Sequence, residues 1–156
     1  MPQYTRYDPR CRRYALLLGS LTLLFALRVA AQALQRWAPV DWLPSFGNFQ
    51  GSGIPYWLLL SIQVLLLAMM IAVTGDVEAG QRRRNPRASL MLKWIGGVYM
   101  TGSLGRIAVG LALPDAPSWF TTWIPAIFHV VLATFVLTLA AYHGTQSMPE
   151  RANAAR

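Results

Sequence analysis

Residues 14–34 read YALLLGSLTLLFALRVAAQAL: twenty-one residues with no acid and one base, Arg28. An α-helix rises about 1.5 Å per residue and needs about 20 apolar residues to cross the ~30 Å hydrocarbon core of a bilayer. The stretch is therefore read as a transmembrane span. Three similar stretches follow at 54–74, 89–112 and 122–143. The connections at 35–53, 75–88 and 113–121 each contain Pro or Gly, as helix breakers should. None of the segments has the ten-residue alternation of a transmembrane β-strand. The expected fold is an all-α integral membrane protein, with one membrane domain over 1–156 forming a four-transmembrane-helix bundle.

Composition agrees with this reading. The chain is 54% hydrophobic and 13% charged, against roughly 45–50% and about 25% for an average soluble domain. That excludes an ordinary cytosolic enzyme, a disordered tail and a soluble nucleic-acid binder. The net charge of +8 therefore points to membrane orientation, and no nucleic-acid partner is expected. A single cysteine, Cys11, excludes a disulfide scaffold and a cysteine-based metal site.

Eleven of the fourteen Lys/Arg residues fall on one side of the expected membrane. They are Arg6, Arg10, Arg12 and Arg13, then Arg82, Arg83, Arg84, Arg87 and Lys93, then Arg151 and Arg156. Arg36 alone lies on the other side, while Arg28 and Arg106 lie within spans. The positive-inside rule then places both termini and the 75–88 loop in the cytoplasm. The expected location is the cytoplasmic (inner) membrane, and the Arg- and Ala-rich composition suits a bacterial chain. The basic run at 82–87 is read as a topology signal, with an anionic-lipid patch as the alternative. Arg12-Arg13 with the apolar run 15–27 and Ala31-Gln32-Ala33 also resembles a cleavable signal peptide. The expectation is that the segment is retained as the first span. Trp37, Trp42, Trp57, Trp119 and Trp123 cluster near the outer span ends and Trp94 near the inner one, as aromatic belts do.

The spans carry small and polar residues in informative places. Gly97, Thr101 and Gly105 are spaced by four, and this small-residue stripe is expected to serve packing within the bundle, with a homo-oligomer as the alternative. Ionisable groups inside a membrane cost about 2.5–3.5 kcal/mol each at a helix centre. Arg28 and Arg106 each lie six residues before the outer end of a span, about 9 Å deep, with His129 at about 10 Å and Gln63 at about 13 Å. Gln32 shares a helix face with Arg28, and Tyr99 and Ser103 share one with Arg106. The candidate ligand-binding set is therefore Arg28, Gln32, Gln63, Tyr99, Ser103, Arg106 and His129.

No carboxylate occurs within any span. Two guanidiniums in the membrane need an anion. Asp41 and Asp115 in the outer connections are protein candidates, and an anionic amphiphile is the ligand candidate. Its acid would be a lipid phosphate, a carboxylate or a porphyrin propionate. The nineteen-residue outer loop 35–53, rich in proline and aromatics, is expected to cap the outer mouth or lie in the interface.

No nucleophile–base pair, phosphate-binding glycine loop or metal-ligand cluster is present in the sequence pattern. The first expectation is a non-enzymatic binding or accessory subunit whose outer-leaflet polar site engages an anionic amphiphile or an acidic partner helix. The alternatives are a small membrane enzyme acting on a lipid or isoprenoid with His129 as acid–base, and an oligomeric anion channel. No cofactor is expected. Haem ligation by His129 and His143 is the lesser alternative, because no third histidine exists. The expected partners are membrane lipids and either further copies of the chain or a larger membrane complex.

Overall fold

The computed structural model describes residues 9–51, 53–81, 85–113, 115 and 117–145. Among these, 84% are helical and none forms a strand. The chain runs α1 (Pro9–Trp37), α2 (Phe46–Gln50), α3 (Tyr56–Glu78), α4 (Pro86–Ala112), α5 (Ser118–Thr121) and α6 (Trp123–Gly144). Three helices are long and apolar enough to cross a membrane: α1 over Cys11–Trp37, α3 and α6. The 27-residue α4 has the length, but its glycines, Lys93 and Arg106 lower its hydropathy below theirs. Arg82, Arg83, Arg84 and the tails bearing Arg6, Arg151 and Arg156 lie outside the described residues.

Helices α1 and α4 outrun the apolar stretches that announced them. Helix α1 runs beyond the apolar stretch at both ends, over Pro9–Trp37. Helix α4 begins at Pro86, where the Asn85 side chain caps it by accepting from the Arg87 and Ala88 backbone N–H groups at 2.9 and 3.4 Å. Apolar stretches mark the hydrocarbon, whereas caps mark the helix.

Packing connects the long helices in the order α3–α1–α6–α4. The inner pair shows it in burial: a third of the spanning window is covered in α1 and in α6, but only 17% in α3. On α1 the buried positions Ala15, Leu18, Thr22, Phe25, Val29 and Gln32 alternate by three and four, a single stripe down one face. The apolar core lies toward the N-terminal half of α1, where Leu18 and Phe25 meet Met70, Val73 and Val77 of α3 and Phe135, Leu139 and Tyr142 of α6. The Tyr14 and Tyr142 rings meet edge to face there at 5.7 Å.

The seam between α4 and α6 corrects the expected use of the small-residue stripe. Gly97 and Gly105 have no heavy atom within 4 Å of where a Cβ would stand, and Thr101 is exposed. The packed face of α4 instead carries Ser89, Gly96 and Ser103, spaced by seven, while α6 buries Ala126, Ala133 and Ala140, also spaced by seven. A seven-residue repeat keeps one seam in contact along a left-handed crossing. A Cβ at Gly96 would stand 2.9 Å from the Leu137 side chain. The Ser89 hydroxyl donates to the Ala140 carbonyl at 2.8 Å, a polar stitch between α4 and α6. At the same end the Asn85 backbone N–H donates to His143 Nδ1 at 3.2 Å.

Two short helices sit at the opposite end. Helix α2 rests on α1 and α6, and α5 rests on α4. Gly51 ends α2 in the left-handed region at φ 52°, and a Cβ there would stand 2.9 Å from Pro125 Cγ. Backbone conformation and space therefore both demand glycine. Gly51→Ala should lower stability by about 2 kcal/mol. The check is a lower thermal midpoint in detergent together with faster proteolysis between residues 38 and 55. An unchanged midpoint would show that α2 has room to move.

Candidate functional site

The α1 helix carries three polar side chains on its buried C-terminal half: Arg28, Gln32 and Gln35. Each meets a different neighbour. Arg28, 7% exposed, donates from Nη2 to the Phe49 carbonyl of α2 at 2.9 Å, and its guanidinium lies 5.7 Å from the Phe128 ring of α6. Gln32 is fully buried and accepts from Gln63 Nε2 of α3 at 3.1 Å. Gln35 holds the connection between α1 and α2 by its backbone. Its Nε2 donates to the carbonyls of Val40, Leu43 and Pro44 at 3.0–3.2 Å, and its Oε1 accepts the Val40 N–H at 2.8 Å.

Arg106 repeats the arrangement on α4. It is 6% exposed, donates from Nε to the Trp119 carbonyl of α5 at 2.8 Å, and stacks over the Trp119 ring at 4.2 Å. Both arginines thus tie a short helix to a long one through a backbone carbonyl, and each also lies against an aromatic ring. His129 stands between them on α6, in electrostatic reach of both guanidiniums, with its ring 5.8 Å from that of Tyr99. Its Nδ1 is engaged by the Pro125 carbonyl. A carbonyl only accepts, so Nδ1 carries a proton. Ser103 is buried and spends its hydroxyl on the Tyr99 carbonyl of its own helix at 2.7 Å, while Tyr99 is 37% exposed.

The seven candidates therefore divide into two groups flanking α6. Arg28, Gln32 and Gln63 lie along α1 and α3, whereas Arg106, Tyr99, Ser103 and His129 lie along α4 and α6. The expected protein counter-ions are absent from both. Asp41 and Asp115 are exposed, and among the described residues no carboxylate lies within ion-pair range of either guanidinium. Arg28 Nε, Arg106 Nη2, Gln32 Nε2, Gln63 Oε1 and the Tyr56 hydroxyl are buried without a hydrogen-bond partner.

Tyr56 is the site residue that the sequence reading missed. It opens α3, contacts the Trp37 and Phe46 rings at 5.8 and 5.2 Å, and lies within electrostatic reach of Arg28. The signal was present: Tyr56 precedes Gln63 by seven residues, two helical turns on one face. The carbonyls that Arg28 and Arg106 use were not legible, since a backbone acceptor 21 or 13 residues away has no sequence signature.

The paired amides allow a test of sign. Removing one partner leaves a buried amide unsatisfied, while replacing both removes the need for a bond. Gln32→Leu should cost about 1 kcal/mol, and Gln32→Leu with Gln63→Leu should cost less than the single change. Thermal midpoints of the three chains decide it, and strictly additive losses would show that the amides do not depend on each other.

Among the described residues no group of three His, Cys, Asp or Glu side chains comes together as a metal site would require. No protein-family model, no curated protein and no solved structure matches the chain.

Proposed function

We propose that this is a non-enzymatic membrane subunit whose outer polar layer binds the acidic group of an anionic amphiphile. The observation that carries the reading is the pair of buried guanidiniums, Arg28 and Arg106, each with a buried N–H lacking an acceptor and neither with a carboxylate in range. A fixed positive charge in a membrane is stable only when an anion or dense hydrogen bonding accompanies it. One carbonyl bond and one aromatic face accompany each here, and an oxyanion would complete both forks. In the same reading α4 is a fourth span, the long helices form a four-helix assembly, and both termini face the cytoplasm of a bacterial inner membrane. The imbalance of eleven Lys/Arg against one supports that orientation. The contacts of His129, a carbonyl of its own helix and a tyrosine edge, are those of a packing residue, which favours binding over acid–base chemistry.

The test is mass spectrometry of whatever co-purifies with the protein in mild detergent, comparing the wild type with Arg28→Gln/Arg106→Gln. The expected result is a stoichiometric anion on the wild type that is missing from the variant. Bulk lipid alone on both forms would overturn the reading and leave the arginines as ties for α2 and α5. Reporter fusions after residues 78 and 145 should both report cytoplasm. An external signal at either would overturn the orientation.

A further inference from the structure

Among the described residues, four of the five unpartnered buried side-chain polar atoms belong to one seam between α1 and α3. They are Arg28 Nε, Gln32 Nε2, Gln63 Oε1 and the Tyr56 hydroxyl. Arg28 and Gln32 are one turn apart on one face, Gln32 and Gln63 are bonded at 3.1 Å, and Tyr56 lies near Arg28. The fifth, Arg106 Nη2, stands apart on α4. The seam therefore presents a specific demand rather than a diffuse positive charge.

Its chemistry is directional. Arg28 Nε is a donor only, and it carries the charge. The amide pair leaves one donor and one acceptor unused, and exchanging O and N in both amides leaves the same count. The tyrosine hydroxyl serves in either sense. A simple acid satisfies the donors and leaves the amide oxygen bare. An ammonium-bearing zwitterion satisfies the amide oxygen but brings no net negative charge to Arg28. The group that answers every atom has oxyanion oxygens and a nearby hydroxyl.

Resting on the anion-binding reading above, we propose that the α1–α3 seam holds a phosphate ester bearing a free hydroxyl. The phosphate sits on Arg28 and Gln32, and the hydroxyl donates to Gln63. Tyr56, at the outer end of α3, bonds the phosphate from above. Phe49 keeps its bond to Arg28 Nη2, because the ligand uses Nε. Access is through α3, the least enclosed of the apolar spans. The ester is either a polyol-phosphate lipid headgroup or a soluble glycerol phosphate.

The experiment uses the full chain in phosphatidylcholine nanodiscs containing either phosphatidylglycerol or phosphatidylmethanol, which share one negative charge and differ in the headgroup hydroxyls. Retained lipid is counted by native mass spectrometry, with glycerol 3-phosphate added as the soluble competitor. The expected result is about tenfold preference for phosphatidylglycerol, the value of one buried hydrogen bond near 1.4 kcal/mol. Gln63→Leu should equalise the two lipids while both remain retained over phosphatidylcholine. Displacement by glycerol 3-phosphate would assign the same site to the soluble ester, and its failure to displace would assign it to the lipid.

Equal retention of the two anionic lipids by the wild type would overturn the hydroxyl assignment and leave anion binding standing. A preference that survives Gln63→Leu would overturn it as well. Retention of neither lipid, with no effect of glycerol 3-phosphate, would overturn both readings. The wild-type comparison decides the matter even if Gln63→Leu does not fold.

Discussion

Replacing Gly110 with alanine is expected to cost about 3 kcal/mol and to detach α5 from α4. The new Cβ would run into the Phe120 carbonyl oxygen and stand 3.0 Å from its carbon, so the obstacle is backbone and no rotamer relieves it. Helix α5 would have to move, and the Trp119 carbonyl would leave Arg106 Nε with it. The loss is then that of a hydrogen bond from a charged donor, about 1.5–3 kcal/mol, with a cation–π contact of about 1–2 kcal/mol. Because both changes act through one bond, Gly110→Ala combined with Arg106→Gln should be clearly less destabilised than the sum of the singles. Thermal midpoints in one detergent measure this. Additive losses would mean that the glycine and the arginine serve different contacts.

Arg28→Gln should be of similar size, about 3 kcal/mol, with its consequence confined to α2. The shorter amide gives up the Phe49 carbonyl at 2.9 Å and leaves the face of the Phe128 ring. Hydrogen exchange should rise across residues 45–51 and stay unchanged across α5. Arg36 supplies the contrast. Its guanidinium lies 6.0 Å from the Phe46 ring, but the side chain is exposed, so Arg36→Ala should cost less than about 1 kcal/mol. Exchange that rises equally at α2 and α5 in Arg28→Gln would indicate that the whole end bearing the short helices loosens as one unit.

The features most legible in the sequence were those repeated over many residues. The apolar stretches of α1, α3 and α6 each exceed the length of a bilayer crossing, so their helices were readable without packing information. The buried polar residues were legible for a related reason: Arg28, Gln32, Gln63 and Arg106 are conspicuous against leucine. Their partners were not, because the Phe49 and Trp119 carbonyls belong to helices of five and four residues, too short for any period to emerge. The face of α4 was misjudged for a different reason. Glycine is so frequent there that Gly97–Thr101–Gly105 at a spacing of four and Ser89–Gly96–Ser103 at a spacing of seven coexist. Only the alanines of α6, spaced by seven, select between them.

Gln35 acts on the connection between α1 and α2 as a length gauge. Its amide grips only main-chain atoms, three carbonyls and one N–H between Val40 and Pro44, and touches no side chain to do so. Selection acting through this grip is blind to which residues occupy 40–43 and acute to how many there are. Related chains should therefore drift freely in composition across this short arc while conserving its residue count and the glutamine. Engineered tags or cross-linking residues belong at substituted positions here, never at inserted ones.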